Sequence, residues 1–167
     1  AAELPRFVPA SQDDLAPSGA KARFRANLAA IQVVRTLAEQ QRAATADERQ
    51  ALARWSSWGA IPEVFDDAKP EWDSERDELR DLLSADEWDA AARTTINAHY
   101  TDPMIVAQIW RAMRTLGFDG GEVLEPGSGA GTFIGLAPET AQMTGVELDP
   151  LTAAISRGLY PHATIRA

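Results

Sequence analysis

Apolar residues recur at helical spacing from Ala20 to about Arg42, where Phe24, Leu28, Ile31, Val34 and Leu37 or Ala38 share one face. The preceding residues 1–19 hold Pro5, Pro9, Pro17, Gly19 and two adjacent aspartates, and read as an irregular lead-in. Thr45-Ala46-Asp47-Glu48 has the form of a capping box, in which a hydroxyl and a carboxylate satisfy free backbone amides, so a second helix carrying Leu52 and Trp55 is expected there. Trp58-Gly59-Ala60-Ile61-Pro62 breaks helical structure, and the acidic run to Asp73 reads as an exposed loop. A short helix over Glu75 to Leu83 follows, and a second capping box, Ser84-Ala85-Asp86-Glu87, opens a helix through Trp88 to about Thr95.

The pattern changes near Asn97. Thr101 or Asp102 can cap a helix that starts at Pro103, where no amide hydrogen is needed, and Ile105, Ile109, Met113 and Leu116 line it up to Gly117. Glu122 to Glu125 reads as a short buried strand, followed by a glycine loop and a short helix from Thr132. Thr144 to Leu148 is a second expected strand, Pro150 to Tyr160 a helix, and His162 to Arg166 a third strand. The order β–loop–α–β–α–β predicts an α/β protein: the first strands of a doubly wound, Rossmann-like parallel sheet, preceded by a helical region. The expected organisation is a lead-in over 1–19, helices over 20–96 and a cofactor-binding region over 97–167. A sheet that stops at its third strand leaves an open edge and apolar faces.

Charge narrows the partners. The net charge is −9, and residues 45–93 alone hold fourteen acidic against six basic side chains. Such a surface repels phosphate backbones, so DNA is expected to be contacted only weakly or not at all by this segment. Lys21, Arg23 and Arg25 are the basic candidates, against an ordinary solvated helix face. With no cysteine and only His99 and His162, no metal site is expected. No apolar run suits a membrane span or a secretory signal, and a cytoplasmic location is expected. The absence of an initiator methionine reads as processing or excision from a longer chain.

The candidate chemistry lies in Glu125-Pro126-Gly127-Ser128-Gly129-Ala130-Gly131, between a strand and a helix. Glycines let the backbone turn and approach a ligand, and amides at a helix start favour negative charge. The ATPase phosphate loop is excluded because no Gly-Lys-Ser/Thr follows, and Thr132 stands where a dinucleotide fingerprint wants glycine. Glu147 closes the next strand twenty residues after Gly127, where a carboxylate can accept from both ribose hydroxyls of an adenosine. An adenosine-containing cofactor is the reading of the combined pattern. Trp55, Trp88 and Trp110 fall on apolar helix faces and are expected in the core rather than as base-stacking platforms. His99 is read either as approaching the cofactor or as a structural histidine.

These residues resemble a known family. Val123 to Phe133 is similar to the cofactor motif of adenine-specific DNA methyltransferases, and Gly145-Val146-Glu147-Leu148-Asp149-Pro150 to their ribose-binding motif. His99-Tyr100-Thr101-Asp102-Pro103 resembles the tyrosine/threonine-proline segment before their glycine loop, with Asp102 inserted. Ala44 to Asp66 and Ala91 to Tyr100 resemble the amino-terminal portion of large phage and plasmid methylase-helicase proteins. The resemblance implies S-adenosyl-L-methionine as cofactor and methyl transfer to adenine N6, with downstream methyltransferase and helicase regions and DNA bound through the complete protein. It implies that Glu147 binds the ribose, that Gly127, Gly129 and Gly131 pass under the ligand, and that Tyr100 and Thr101 hold the methionine carboxylate. Glu125 would order the loop, with Pro126, Ser128, Leu148 and Asp149 completing the site. The family's Pro-Pro-aromatic tetrapeptide has no counterpart here, so no catalytic residue is assigned and the chain alone is expected to be inactive. The alternative is a non-catalytic module, a helical interaction region joined to a cofactor fold within a larger DNA-processing protein.

Overall fold

A computed structural model describes residues 5–9, 15–97 and 100–167. Helices come first: α1 (Ala20–Gln40), α2 (Ala46–Ala53), α3 (Asp73–Leu82), α4 (Ala85–Asn97) and α5 (Pro103–Thr115). They lead into β1 (Gly121–Pro126), α6 (Thr132–Leu136), β2 (Ala141–Val146), α7 (Pro150–Leu159) and β3 (Thr164–Arg166). The three strands form one parallel sheet in the order β1–β2–β3, with Gly121 opposite Ala141 and Thr144 opposite Thr164. The chain is therefore mixed α/β, with helices followed by a short parallel sheet.

Local signals set the helix starts. Thr45 Oγ1 accepts from the Glu48 amide while the Glu48 carboxylate accepts from the Thr45 amide. Ser84 and Glu87 repeat the exchange ahead of α4. Asp102 caps α5 by accepting from the Met104 amide at 2.7 Å, with Pro103 in the first helical position.

One apolar core joins the helices to the sheet. Helices α1 and α2 pack on α7, so the helical region covers the sheet through that helix. Asn27, buried on α1, donates to the Ser57 carbonyl and accepts from the Ser56 amide, holding the bend in which Ser57 adopts φ 55°. Aromatic rings fill the centre: Trp58 meets Trp55 and Phe65 edge-on at 5.6 and 5.5 Å, and Phe24 meets Trp72. The tryptophans expected in the core, Trp55 and Trp110, are buried, and Trp88 packs against it.

Two expectations change. The acidic stretch before Asp73 is not an exposed loop throughout but two short 3-10 turns, Pro62–Phe65 and Pro70–Trp72, with Val64 and Trp72 buried. Buried Arg76 explains this, since its guanidinium donates to the carbonyls of Val64, Asp66 and Lys69 and pairs with Asp73. Arg76→Ala should strand those carbonyls and lower stability by about 1.5–3 kcal/mol, the range for hydrogen bonds to a charged group. Urea unfolding followed by circular dichroism would test it, and a loss within about 0.5 kcal/mol, the size of an ordinary surface substitution, would contradict the clamp. Strand β2 also begins and ends earlier than expected, at Ala141 and Val146, so Glu147 and Leu148 lie in the turn after it. In the lead-in, 5–9 is irregular as expected, but Pro9 is buried and Arg49 donates to the Pro5 carbonyl.

Two of the three basic candidates on α1 are occupied by acids of α3. Lys21 pairs with Glu75 at 2.6 Å, Arg25 pairs with Glu78, and Arg23 donates to the Pro17 carbonyl. Lys21 and Arg25 thus form a solvated, ion-paired face. No helix among the described residues is long and apolar enough to cross a membrane.

Candidate functional site

The carboxyl ends of β1 and β2 open into a cleft of about 750 Å³, bounded by the glycine loop, α4 and α5. That is within the roughly 300–1,000 Å³ usual for small-molecule sites. The loop turns tightly because Gly127, Gly129 and Gly131 have φ of 72°, 54° and 89°, a region that side chains rarely adopt. Its amides point inward. Gly127 and Ser128 donate to the Val146 carbonyl, Gly131 to the Ser128 carbonyl, and Gly129 to Glu147 Oε2 at 2.8 Å. These four amides are satisfied within the protein, and α6, which follows, is only five residues long.

Glu147 is the hub of the cleft. Besides Gly129, its second oxygen accepts from the Asp149 amide at 2.9 Å, so the carboxylate straps the loop to the end of β2. Each oxygen keeps a lone pair for a ligand hydroxyl. Asp149 caps α7 through the amide and hydroxyl of Thr152, and Leu148 stands fully out at the rim. On the other wall, the Tyr100 ring lies against the loop, and a Cβ built at Gly129 would fall 2.8 Å from it. The aromatic ring therefore leaves no room for a side chain at Gly129. The Tyr100 hydroxyl accepts from Trp55 Nε1 at 3.0 Å, and burial pushes its phenol above the ordinary range.

Of the residues singled out from sequence, Tyr100, Thr101, Glu125, Pro126, Gly127, Ser128, Gly129, Glu147, Leu148 and Asp149 all line the cleft. Gly131 does not. A Cβ there would meet Tyr160 at 2.7 Å and Ser156, so its role is close packing behind the loop. His99 lies outside the described residues. Sequence reasoning missed Ser57, Arg93 and Thr94, which reach the cleft from the helical region, and the apolar wall of Met113 and Phe118. Helical spacing places residues on a face but does not say what the face meets.

Glu125 differs from its acidic neighbours. One oxygen is buried without a hydrogen-bond partner, and burial, with the Glu147 charge beside it, pushes its carboxyl up to about 7. A carboxyl whose pKa is raised on folding favours the folded state fully at pH below about 4.5, its unfolded value, and loses that advantage as pH rises through about 7. Glu125→Gln should therefore stabilise the protein by about 2–3 kcal/mol at pH 8 and leave it unchanged at pH 4. Urea midpoints of the two proteins across this range would decide it, and parallel curves would show that Glu125 is not held in its neutral form.

No family model matches the chain, and no solved structure matches it. Among curated proteins the chain is similar to Defense against restriction protein B of Escherichia phage P1, with 28% identity over 90 residues. The match covers 54% of this chain but only 4% of that much longer protein. It overturns the family expectation: the relative is by name an anti-restriction protein, and neither the assignment to adenine-specific DNA methyltransferases nor an enzyme of methyl transfer is supported. What remains is a helical and α/β segment with a defined cleft, similar over about half its length to a small part of a phage protein.

Proposed function

We propose that this chain is a ligand-binding module of a longer protein and that its cleft takes an adenosine-containing small molecule, S-adenosyl-L-methionine or its demethylated form. The observation that carries the reading is Glu147, an acceptor fixed at the end of β2 by two amides and lying in the cleft beside the glycine loop. A carboxylate there suits ribose hydroxyls, in keeping with a Rossmann-like arrangement of β1, α6 and β2. The loop amides engaged within the protein and the carboxylates Glu147 and Asp149 disfavour a diphosphate, which argues against NAD and nucleoside triphosphates. The apolar wall offers a flat surface for a base. The similarity to a defense-against-restriction protein suggests a setting in protection of DNA from restriction, with DNA contacts made elsewhere in the longer protein.

Calorimetric titration with S-adenosyl-L-methionine, S-adenosylhomocysteine and NAD tests the reading. The first two should bind and NAD should not, and tighter binding of NAD would refute it. Glu147→Ala removes the fixed acceptor and should weaken binding by about 1.5–3 kcal/mol, with helix content nearly unchanged by circular dichroism. Unaltered affinity in that variant would remove Glu147 from the site.

A further inference from the structure

The charges around the cleft are divided. Glu147 and Asp149 stand at the sheet end, while Arg93 on α4 is the sole lysine or arginine among the described residues that line it. Arg93 makes no hydrogen bond or ion pair with any described residue, in a chain with a large excess of carboxylates. Two other arginines of the helical region are taken: Arg35 holds Glu87 with both carboxylate oxygens at 2.6 Å, and Arg42 holds Glu48 likewise. Its neighbour Thr94 is fixed, donating to the Ala91 carbonyl and accepting from Ser57 Oγ, so this turn of α4 is anchored at the cleft wall.

A cleft with carboxylates at one side and, at the other, one guanidinium that no described residue pairs matches a ligand that carries both charges. We propose that Arg93 receives the carboxylate of the ligand's amino-acid portion, so that the helical region, rather than the glycine loop, gives the cleft its selectivity for a zwitterion. The planar guanidinium can hold a carboxylate through two parallel hydrogen bonds, which a lysine cannot reproduce. This inference rests on the reading of the cleft as a site for S-adenosyl-L-methionine and names the group that reads its amino-acid end. The sequence expectation gave that task to Tyr100 and Thr101, which are uncharged, whereas Arg93 brings a full positive charge to the same cleft.

The test compares S-adenosyl-L-methionine with its decarboxylated form, which keeps the adenosine, the sulfonium and the amine. The parent protein should prefer the intact ligand by about tenfold, the discount from a fully buried pair reflecting the exposure of Arg93. Arg93→Ala should lose that preference while binding the decarboxylated ligand as the parent does, and Arg93→Lys should keep only part of it. If Arg93→Ala weakened both ligands equally, or neither, the assignment would fall while the site stood. If the parent bound neither ligand, the reading of the cleft would fall, and the role of Arg93 with it.

Discussion

Trp55→Ala is expected to lower the stability by about 3–5 kcal/mol, the usual cost of truncating a buried tryptophan. Trp55 is only 2% exposed and packs edge-on against Trp58. Its indole N–H also lies 3.0 Å from the Tyr100 hydroxyl and 3.1 Å from Thr152 Oγ1. Those groups belong to the cleft wall and to α7, so one side chain fastens the helical region to both. The substitution leaves a cavity and removes the donor that both hydroxyls share. Trp55→Phe keeps most of the volume and loses only the donor, and should cost about 1–2 kcal/mol. Urea unfolding monitored by far-ultraviolet circular dichroism gives both values. A cost for the alanine variant no larger than for phenylalanine would show that packing around Trp55 is not what joins the two regions.

Gly131→Val should cost about 2–5 kcal/mol, from two additive sources. At φ 89° a side chain carries the left-handed penalty of about 1–2 kcal/mol. The new Cβ would also lie 2.7 Å from the buried Tyr160 ring and 2.8 Å from Ser156 Oγ, and such overpacking costs about 1–3 kcal/mol. Gly127 supplies the control, because a Cβ there meets nothing within 4 Å and carries only the backbone penalty. Gly127→Ala should therefore fold with a loss of about 1–2 kcal/mol and show its main effect on ligand affinity. Thermal and urea midpoints for both variants, beside ligand titration of the second, separate the two roles. Equal destabilisation would mean that Tyr160 can move aside.

The glycine loop shows how far such roles could be read in advance. The sequence marks three glycines as a tight turn after a strand, and all three have positive φ. It assigns them one common task, which the structure divides: Gly127 opens onto the cleft, Gly129 clears the Tyr100 ring, and Gly131 clears Tyr160. The ring partners lie about thirty residues away on either side, beyond the reach of any local pattern. Glu147 was legible as a strand-end acid, while its bonds to Gly129 and Asp149 were not. The family resemblance carried the motif further than the comparison with known proteins supports, because a glycine loop and a strand-end acid describe a binding geometry, not a reaction.

By itself the sequence determined the helix starts at Thr45 and Ser84, a cap at Thr101 or Asp102, the alternation of strands and helices after Gly120, and the position of the loop. Each depends on hydrogen bonds or backbone angles within a few residues, where side-chain chemistry acts directly on its own backbone. Tertiary structure alone decided that Arg76 gathers residues 62–72 into turns, that the α3 acids take up Lys21 and Arg25, and that α4 brings Arg93 to the cleft. These outcomes join segments from several to more than fifty residues apart. They follow from which apolar faces find one another when the core closes, and an amphipathic pattern specifies that a face is buried without naming its partner.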